Sequence, residues 1–512
     1  MTTMTTISAI TTTRTMHQTG ARLSARVPTR RSRVGLIVCL GVIAAACGGG
    51  GSEGNGGQPT NPTGGTTTPG GTVPGLADQC PLDGLDDRDV GAGPVEITYW
   101  HAMTRANEEA LVALTEEFNG SQDQVQVSLV NQNAYDDNFT KFETAFGTDD
   151  SPDLIQLEDT ALQRLVDAQA VVPAQACLDA DGAKTDDVVA RVTNYYSLGG
   201  VLYPMPFNVS NPVFYYNKKA FEAAGLDPEV APTTFAEVRD FAEQITGAGY
   251  EYGFAFKRDP WVLEQFLSLA GEPYVNNDNG RTARATEVAF DTPTASSVFE
   301  WLQSGVDAGV FTSNAAGGPS GFDNLISICN GSNAMTIDTS AALGTATQVL
   351  ESEGCQAEVE VGVAPLPLPS ADLAGKGGVL VGGAANYLPA NGDPVRLAAA
   401  YRFAAFLAEP EQQAEWAAAT GYIPVRVSSA ESQVMLDLWA ESPGYKVAFD
   451  QLNTGTDNIA TAGPVIGDYK GVRDALTDAL EALLVEGKDP AAVLQDAVAA
   501  ANDRIVEYNA TV

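Results

Sequence analysis

Tyr203-Pro-Met-Pro-Phe-Asn-Val-Ser-Asn-Pro-Val-Phe-Tyr-Tyr-Asn-Lys-Lys-Ala-Phe-Glu-Ala-Ala-Gly-Leu-Asp227 is the stretch on which the fold turns. Pro204 and Pro206 lack ladder donors, so the first half reads as a strand that is not interior to a sheet. A polar turn is expected over 208–211, then a β-rich run over 212–216. Asn217 is a candidate N-cap, 218–224 a short helix and Gly225 its C′ residue. An exposed, tyrosine-rich strand pair that leads straight into a second αβ unit is the pattern of a chain crossing between two lobes. Ligand is expected at the crossing.

Upstream, residues 95–100 alternate like a strand, and 107–118 carry Leu111, Leu114 and Phe118 at helical spacing. Residues 125–130 alternate again, 133–146 read as a helix and 153–157 as a third strand. This β-α-β-α-β order predicts a parallel sheet covered by helices. Ligands collect beyond the carboxyl ends of such strands, which points to Trp100, His101, Tyr135, Glu158 and Asp159. Downstream come a helix over 235–246, a strand over 252–256, a helix over 261–270 and a hairpin turn at 277–280, which lacks the ligand spacing of a calcium loop. A helix over 297–308 precedes a buried strand, 334–337, and the chain returns through 359–364 and 379–385. Gly382-Gly383 inside a β run predicts a bulge or a close backbone approach. Helices are expected over 396–407, 411–420 and 433–440. An apolar stripe from Val472 to Leu484 and a last helix opened by Asp489-Pro490 complete the chain. Arg473 lies in the first turn of its helix, a poor place for a cation, which suggests a specific task.

A chain of 512 residues, 44% hydrophobic, exceeds what one core supports, so two lobes are expected. Residues 1–33 hold six arginines and no acid, and 34–46 are uncharged. That apolar run is shorter than the roughly 18 residues that span a bilayer, and it fits an export signal. Cys47, followed by four glycines, resembles the lipidated cysteine of a bacterial lipobox, although Ala44 departs from the usual leucine. Loss of 1–46 would take the formal charge from −37 to −43, a field that excludes nucleic acid. Residues 48–79, rich in Gly, Thr, Pro and Asn, read as a flexible tether. Of the remaining cysteines, Cys80, Cys177, Cys329 and Cys355 allow three disulfide connectivities, and sequence proximity favours Cys80 with Cys177 and Cys329 with Cys355. No Cys-x-x-Cys spacing supports a zinc site.

The order Trp100-His-Ala-Met103, Tyr135, Ser151-Pro-Asp-Leu-Ile-Gln-Leu-Glu-Asp159, Pro206-Phe-Asn-Val-Ser-Asn-Pro-Val-Phe-Tyr-Tyr-Asn-Lys218, Ala334-Met-Thr336, Gly382-Gly-Ala384 and Thr420-Gly-Tyr-Ile-Pro424 resembles extracellular solute-binding proteins of ABC importers, family 1. Within that family it looks most like the branch that binds glycerol 3-phosphate and glycerophosphodiesters. The resemblance implies an α/β, two-lobed periplasmic-binding-protein fold of type II, maltose-binding-protein-like, with a cleft and several crossovers. Residues 94–209 with 384–428 would form one lobe and 210–383 with 429–512 the other. The implied partners are a small-molecule ligand and the transmembrane subunits of an ABC permease, with a lipid anchor at Cys47 on the outer face of the cell membrane, a monomeric state and no cofactor or metal. Tyr135 and Tyr422 match ligand-contacting positions. Asp159 stands where an acid accepts from glycerol hydroxyls, and it is also a candidate N-cap. Ser210, Thr339 and the Gly383 backbone match polar contacts, and Arg473 matches a phosphate-clamping arginine. The branch walls its ligand with two tryptophans. Here only Trp261 is present, with Lys257 and Arg258 near the other place, which leans the reading toward a bulkier glycerophosphodiester such as glycerophosphocholine. A family 1 protein for a neutral mono- or oligosaccharide is the alternative. An exported hydrolase is the enzymatic rival, but Gly318-Pro-Ser320-Gly321-Phe322 misses the nucleophile elbow and no His-Glu-x-x-His occurs. A tethered adhesin has only the tether in its favour.

Overall fold

The computed structural model describes residues 75–512 except 89, 90, 92, 317–320 and 353. The expected export signal, Cys47 and residues 48–74 of the tether lie outside the described residues, as does most of the serine motif at 318–322. The strands in chain order are β1 (Val95–His101), β2 (Val125–Asn131), β3 (Leu154–Glu158), β4 (Val171–Val172), β5 (Ser197–Leu198), β6 (Val201–Leu202), β7 (Met205–Ser210), β8 (Pro212–Asn217), β9 (Phe254–Arg258), β10 (Phe311–Ala315), β11 (Met335–Thr339), β12 (Val361–Ala364) and β13 (Gly382–Pro389). β1 runs parallel to β2 and β3, and β13 joins β3 antiparallel, giving the order β2-β1-β3-β13-β4 with β7 also on β13. A second sheet has the order β10-β9-β11-β8-β12. Helices cover both sheets, and one buried cluster runs from the first sheet through Val213 and Tyr215 of β8 while a second fills the rest of the second sheet, so the α/β class follows from the alternating pattern in the sequence.

β7 and β8 are separated only by Asn211 yet belong to different sheets. The turn expected at 208–211 does not form, because 208–210 are strand. Both strands are buried along their whole length rather than exposed. Pro206 is accommodated because the β7–β13 register slips there, and the other edge of β7 is bridged only further on, where the Ile423 N–H donates to the Val209 carbonyl at 2.7 Å. Ala384 faces Asn208 and Ala385 faces Pro206, so Phe207 is the extra residue of a bulge. Its ring stacks on Trp416 with centroids 4.7 Å apart. Asn211 is buried in the passage, donating to the Ala448 carbonyl at 2.9 Å and accepting from Gln451 at 2.5 Å.

Local signals place most helices. Asn217, Thr234, Asp259 and Asp489 each accept a backbone N–H as side-chain N-caps, and Pro260 and Pro490 occupy first helical positions. In the helix Tyr469–Leu484 the buried stripe Val472, Leu476, Leu480 and Leu483 faces the second sheet's core; each leucine so buried contributes about 2 kcal/mol. The helices Ala174–Asp181, Ala190–Tyr196, Asp323–Cys329, Leu343–Leu350 and Gly444–Thr454 have no counterpart in the sequence reading. The first four have eight residues or fewer and are sustained by tertiary packing, whereas the 11-residue Gly444–Thr454 carries Tyr445, Ala448, Phe449 and Leu452 at helical spacing and was overlooked. The hairpin expected at 277–280 is instead a left-handed turn, with Asn277, Asp278 and Asn279 all at φ between 52° and 59°. Asn279 compensates for the strain by accepting from the Tyr274 and Val275 amides at 2.7 and 3.1 Å. Disulfides join Cys80 to Cys177 across 97 residues and Cys329 to Cys355 across 26.

Candidate functional site

A cavity of about 500 Å³ lies between the two sheets. Its walls come from the carboxyl ends of β1, β3, β9 and β11, from the β7–β13 passage, from the Gly421-Tyr422 turn and from the N-terminal turns of the helices that begin at Tyr135 and Tyr469. Tyr135, Asp159, Ser210, Trp261, Thr339, Gly383, Tyr422 and Arg473, all singled out from sequence, line it. Lys257 does too. Arg258 does not: successive residues of a strand face opposite ways, and its guanidinium pairs with Glu481 at 2.9 Å and Ser313 at 2.9 Å. Trp100 and His101 also fall outside the lining. His101 is buried, with Nδ1 accepting from the Met103 amide at 3.3 Å, and burial pulls its pKa below the ordinary imidazole value.

Tyr135 is held by a chain of buried amides that the sequence did not reveal. The Ala102 N–H donates to Gln156 Oε1 at 3.0 Å, Gln156 Nε2 to Asn208 Oδ1 at 3.0 Å, and Asn208 Nδ2 to Tyr135 Oη at 2.9 Å. Tyr135 Oη lies 3.3 Å from Tyr422 Oη, and the Tyr422 ring stacks on Trp416. Either hydroxyl can donate in that contact, Tyr422 Oη also reaches Met103 Sδ at 3.9 Å, and together these bonds hold the two hydroxyls at the cavity wall. Gly382 and Gly383 serve the same wall. A side chain at Gly382 would stand 2.3 Å from the Trp261 ring, and Gly383, at φ 83°, has the Asn208 carbonyl 2.1 Å from where a Cβ would be.

Arg473 is not a free cation. Nε and Nη2 each donate to Glu264 at 2.8 Å, Nη1 and Nη2 reach Asp159 at 3.4 and 3.3 Å, and the Tyr469 ring lies under the guanidinium at 4.6 Å. Glu264 is fully buried and also accepts from Tyr469 Oη at 2.7 Å, while Asp159 accepts from Tyr195 Oη. Glu264 was missed in sequence; the signal was a lone carboxylate in the apolar helix Pro260–Leu269. Glu158 stands 3.8 Å from the same guanidinium. Its pKa is pushed up to about 8 by desolvation and by the neighbouring carboxylates of Asp159, Asp136 and Asp259, with Arg473 pulling the other way. Lys257 Nζ meets Asp338 at 3.3 Å; burial opposes its charge, but Asp338 and Asp259 outweigh that and raise its pKa.

Six carboxylates line the cavity (Asp136, Glu158, Asp159, Asp259, Asp338 and Asp474) against three cations (Lys257, Lys470 and Arg473). The site therefore offers hydroxyl acceptors in excess, with cationic groups for at most a weakly charged anion. Among the described residues no cluster of His, Cys, Asp or Glu is arranged to hold a metal ion.

The model of the bacterial extracellular solute-binding protein family matches residues 113–446. The sn-glycerol-3-phosphate-binding periplasmic protein UgpB of Pectobacterium atrosepticum is 27% identical over 412 residues, which covers 80% of this chain and 90% of that protein. Among solved structures, UgpB from Mycobacterium tuberculosis in complex with glycerophosphocholine aligns with a TM-score of 0.68 at 20% identity, covering 82% of this chain and 100% of that one. The GacH receptor of Streptomyces glaucescens, solved unliganded and with acarbose, aligns with a TM-score of 0.67 at 20% identity, covering 81% and 99%. These structures share the two-lobed fold. With most of the domain matched by the family model and a lined cavity between two α/β sheets, the chain belongs to the bacterial extracellular solute-binding protein family, whose members are binding proteins of ABC importers and not enzymes.

Proposed function

We propose that this protein captures a glycerophosphodiester outside the cell and hands it to an ABC permease, held near the membrane by lipid on Cys47 and acting as a monomer. The lobes would be 94–209 with 384–428 and 210–383 with 429–512, closing over the cavity. Arg473 would meet the phosphate, Tyr135, Trp261 and Tyr422 would wall the ligand, and Asp159, Ser210, Thr339 and the Gly383 backbone would take its hydroxyls.

The observation that carries the choice of ligand is the carboxylate cage around Arg473. A guanidinium already paired with Glu264 and Asp159 has little positive field left for a dianion. A phosphodiester carries one negative charge where glycerol 3-phosphate carries nearly two, so the diester suffers less repulsion from Glu158 and Asp159. The glycerophosphocholine and glycerol-3-phosphate ligands named for the relatives support the class. A neutral saccharide is the second reading, favoured by the excess of carboxylates over cations. Titration calorimetry with glycerophosphocholine, glycerol 3-phosphate and maltose tests both. Tighter binding of the diester than of the other two is expected, and tightest binding of maltose overturns the reading.

A further inference from the structure

We propose that Lys257, Asp338 and Asn107 form a hydroxyl-recognition subsite in the cavity, so that the group esterified to the phosphate is a polyol and not a quaternary amine; this rests on the glycerophosphodiester reading above. Asp338 lines the cavity, is 4% exposed, and its Oδ2 has no hydrogen-bond partner. Its Oδ1 accepts from Lys257 Nζ at 3.3 Å and from the Thr339 amide at 2.8 Å. Asn107, from the facing lobe, lines the same cavity; its Nδ2 donates to the Ala341 carbonyl at 3.3 Å, which fixes the amide's orientation and leaves Oδ1 buried without a donor. Two acceptors without donors and one ammonium on the same cavity are a demand for donors. An unmet buried acceptor carries a desolvation cost that a ligand O–H removes.

A polyol supplies what these groups lack: one hydroxyl donates to Asp338 while accepting from Lys257, and another donates to Asn107. A trimethylammonium group has no N–H or O–H to give, so it leaves both acceptors unmet. Nor is the Phe322 face open as a cation platform, since Lys257 and Arg105 already sit over it at 5.9 and 5.4 Å.

The test is calorimetry on the protein with glycerophosphoinositol, glycerophosphocholine, glycerol 3-phosphate and maltose, for the wild type, Asp338→Asn and Asn107→Ala. Glycerophosphoinositol should bind about tenfold more tightly than glycerophosphocholine, and each variant should erase that difference while leaving glycerol 3-phosphate within about twofold. Equal or tighter binding of glycerophosphocholine to the wild type, or equal weakening of every ligand by the variants, overturns the subsite. If no glycerophospho compound binds, the ligand reading falls alone, and the subsite then stands only if Asp338→Asn weakens maltose about tenfold. Silence from all four ligands overturns both.

Discussion

Arg473 and Glu264 are joined by two parallel hydrogen bonds of 2.8 Å, although 209 residues separate them in the chain. Glu264 is 1% exposed and accepts, among the described residues, from this fork and the Tyr469 hydroxyl. The pair therefore ties the helix Pro260–Leu269 to the helix Tyr469–Leu484 and aims the guanidinium at the cavity. Glu264→Gln keeps the shape but breaks the ion pair, and should lower stability to urea by about 3 kcal/mol, as expected for one partner removed from a buried pair. Because it also removes one negative charge from the cage, binding of glycerol 3-phosphate should improve relative to the diester. Unchanged urea midpoints would show that the pair does not hold the two helices together.

Glu158 supplies a pH signature. Its carboxyl ionises near 8 in the folded protein, against 4.5 ordinarily. Between those values the native state holds a proton that the unfolded chain has released, so this group's contribution makes stability fall as pH rises across that window. Glu158→Gln should flatten that part of the profile, with the melting temperature of the variant gaining on the wild type from pH 5 to 8. Above pH 8 the ionised carboxylate faces Arg473 at 3.8 Å, and wild-type affinity for any phosphate ligand should drop there more than that of the variant. Parallel melting and binding profiles would refute the assignment.

Most strands and the cavity wall were legible in the sequence because their determinants are local: alternation in β1 and β2, cap residues that start helices, and glycines where backbones touch; the order of strands within each sheet was not, since it is set by long-range pairing. Gly382-Gly383 announced the close approach of Trp261 and Asn208 without saying which partner each would meet. The cage around Arg473 was not legible. Asp159 and Glu264 reach it from 314 and 209 residues away, and neither separation leaves a periodic trace. The Gln156–Asn208–Tyr135 relay was hidden for a related reason, since an amide in a strand looks the same whether it faces water or a buried partner. Short helices such as Ala190–Tyr196 escaped because seven residues carry too few turns for a periodic signal.

Gly383 tests the wall itself. Alanine there must adopt φ near 83°, which costs roughly 1–2 kcal/mol, and its methyl would also stand 2.1 Å from the Asn208 carbonyl. Gly383→Ala should therefore destabilise the protein by at least about 2 kcal/mol in urea. Since Asn208 also orients Tyr135, ligand affinity should fall along with stability. A variant of wild-type stability and affinity would mean that β7 and β13 slide apart freely at this point.

Arg281 is the last case, and it concerns the joint rather than the cavity. Its guanidinium is surrounded by backbone carbonyls: Gly463 at 2.8 Å, Asn194 at 3.2 Å, Ser197 at 3.0 Å, Tyr195 at 3.1 Å and Ala462. Residues 194–197 belong with the first sheet's helices, and 462–463 lie on the segment that leads to Tyr469, so one side chain fastens three parts of the chain. Burial lowers its pKa to about 10, still far above neutral, and the charge persists at any physiological pH. Lysine keeps that charge but offers three donors on a single nitrogen in place of five spread over a planar fork. Arg281→Lys should thus leave at least two carbonyls unpaired, each costing about 1–3 kcal/mol. A loss of about 2 kcal/mol or more in urea, together with faster amide hydrogen exchange at 194–197 and 462–463, is the expected result. Exchange that quickens in only one of the two segments would show that Arg281 braces a loop and does not couple the parts it touches.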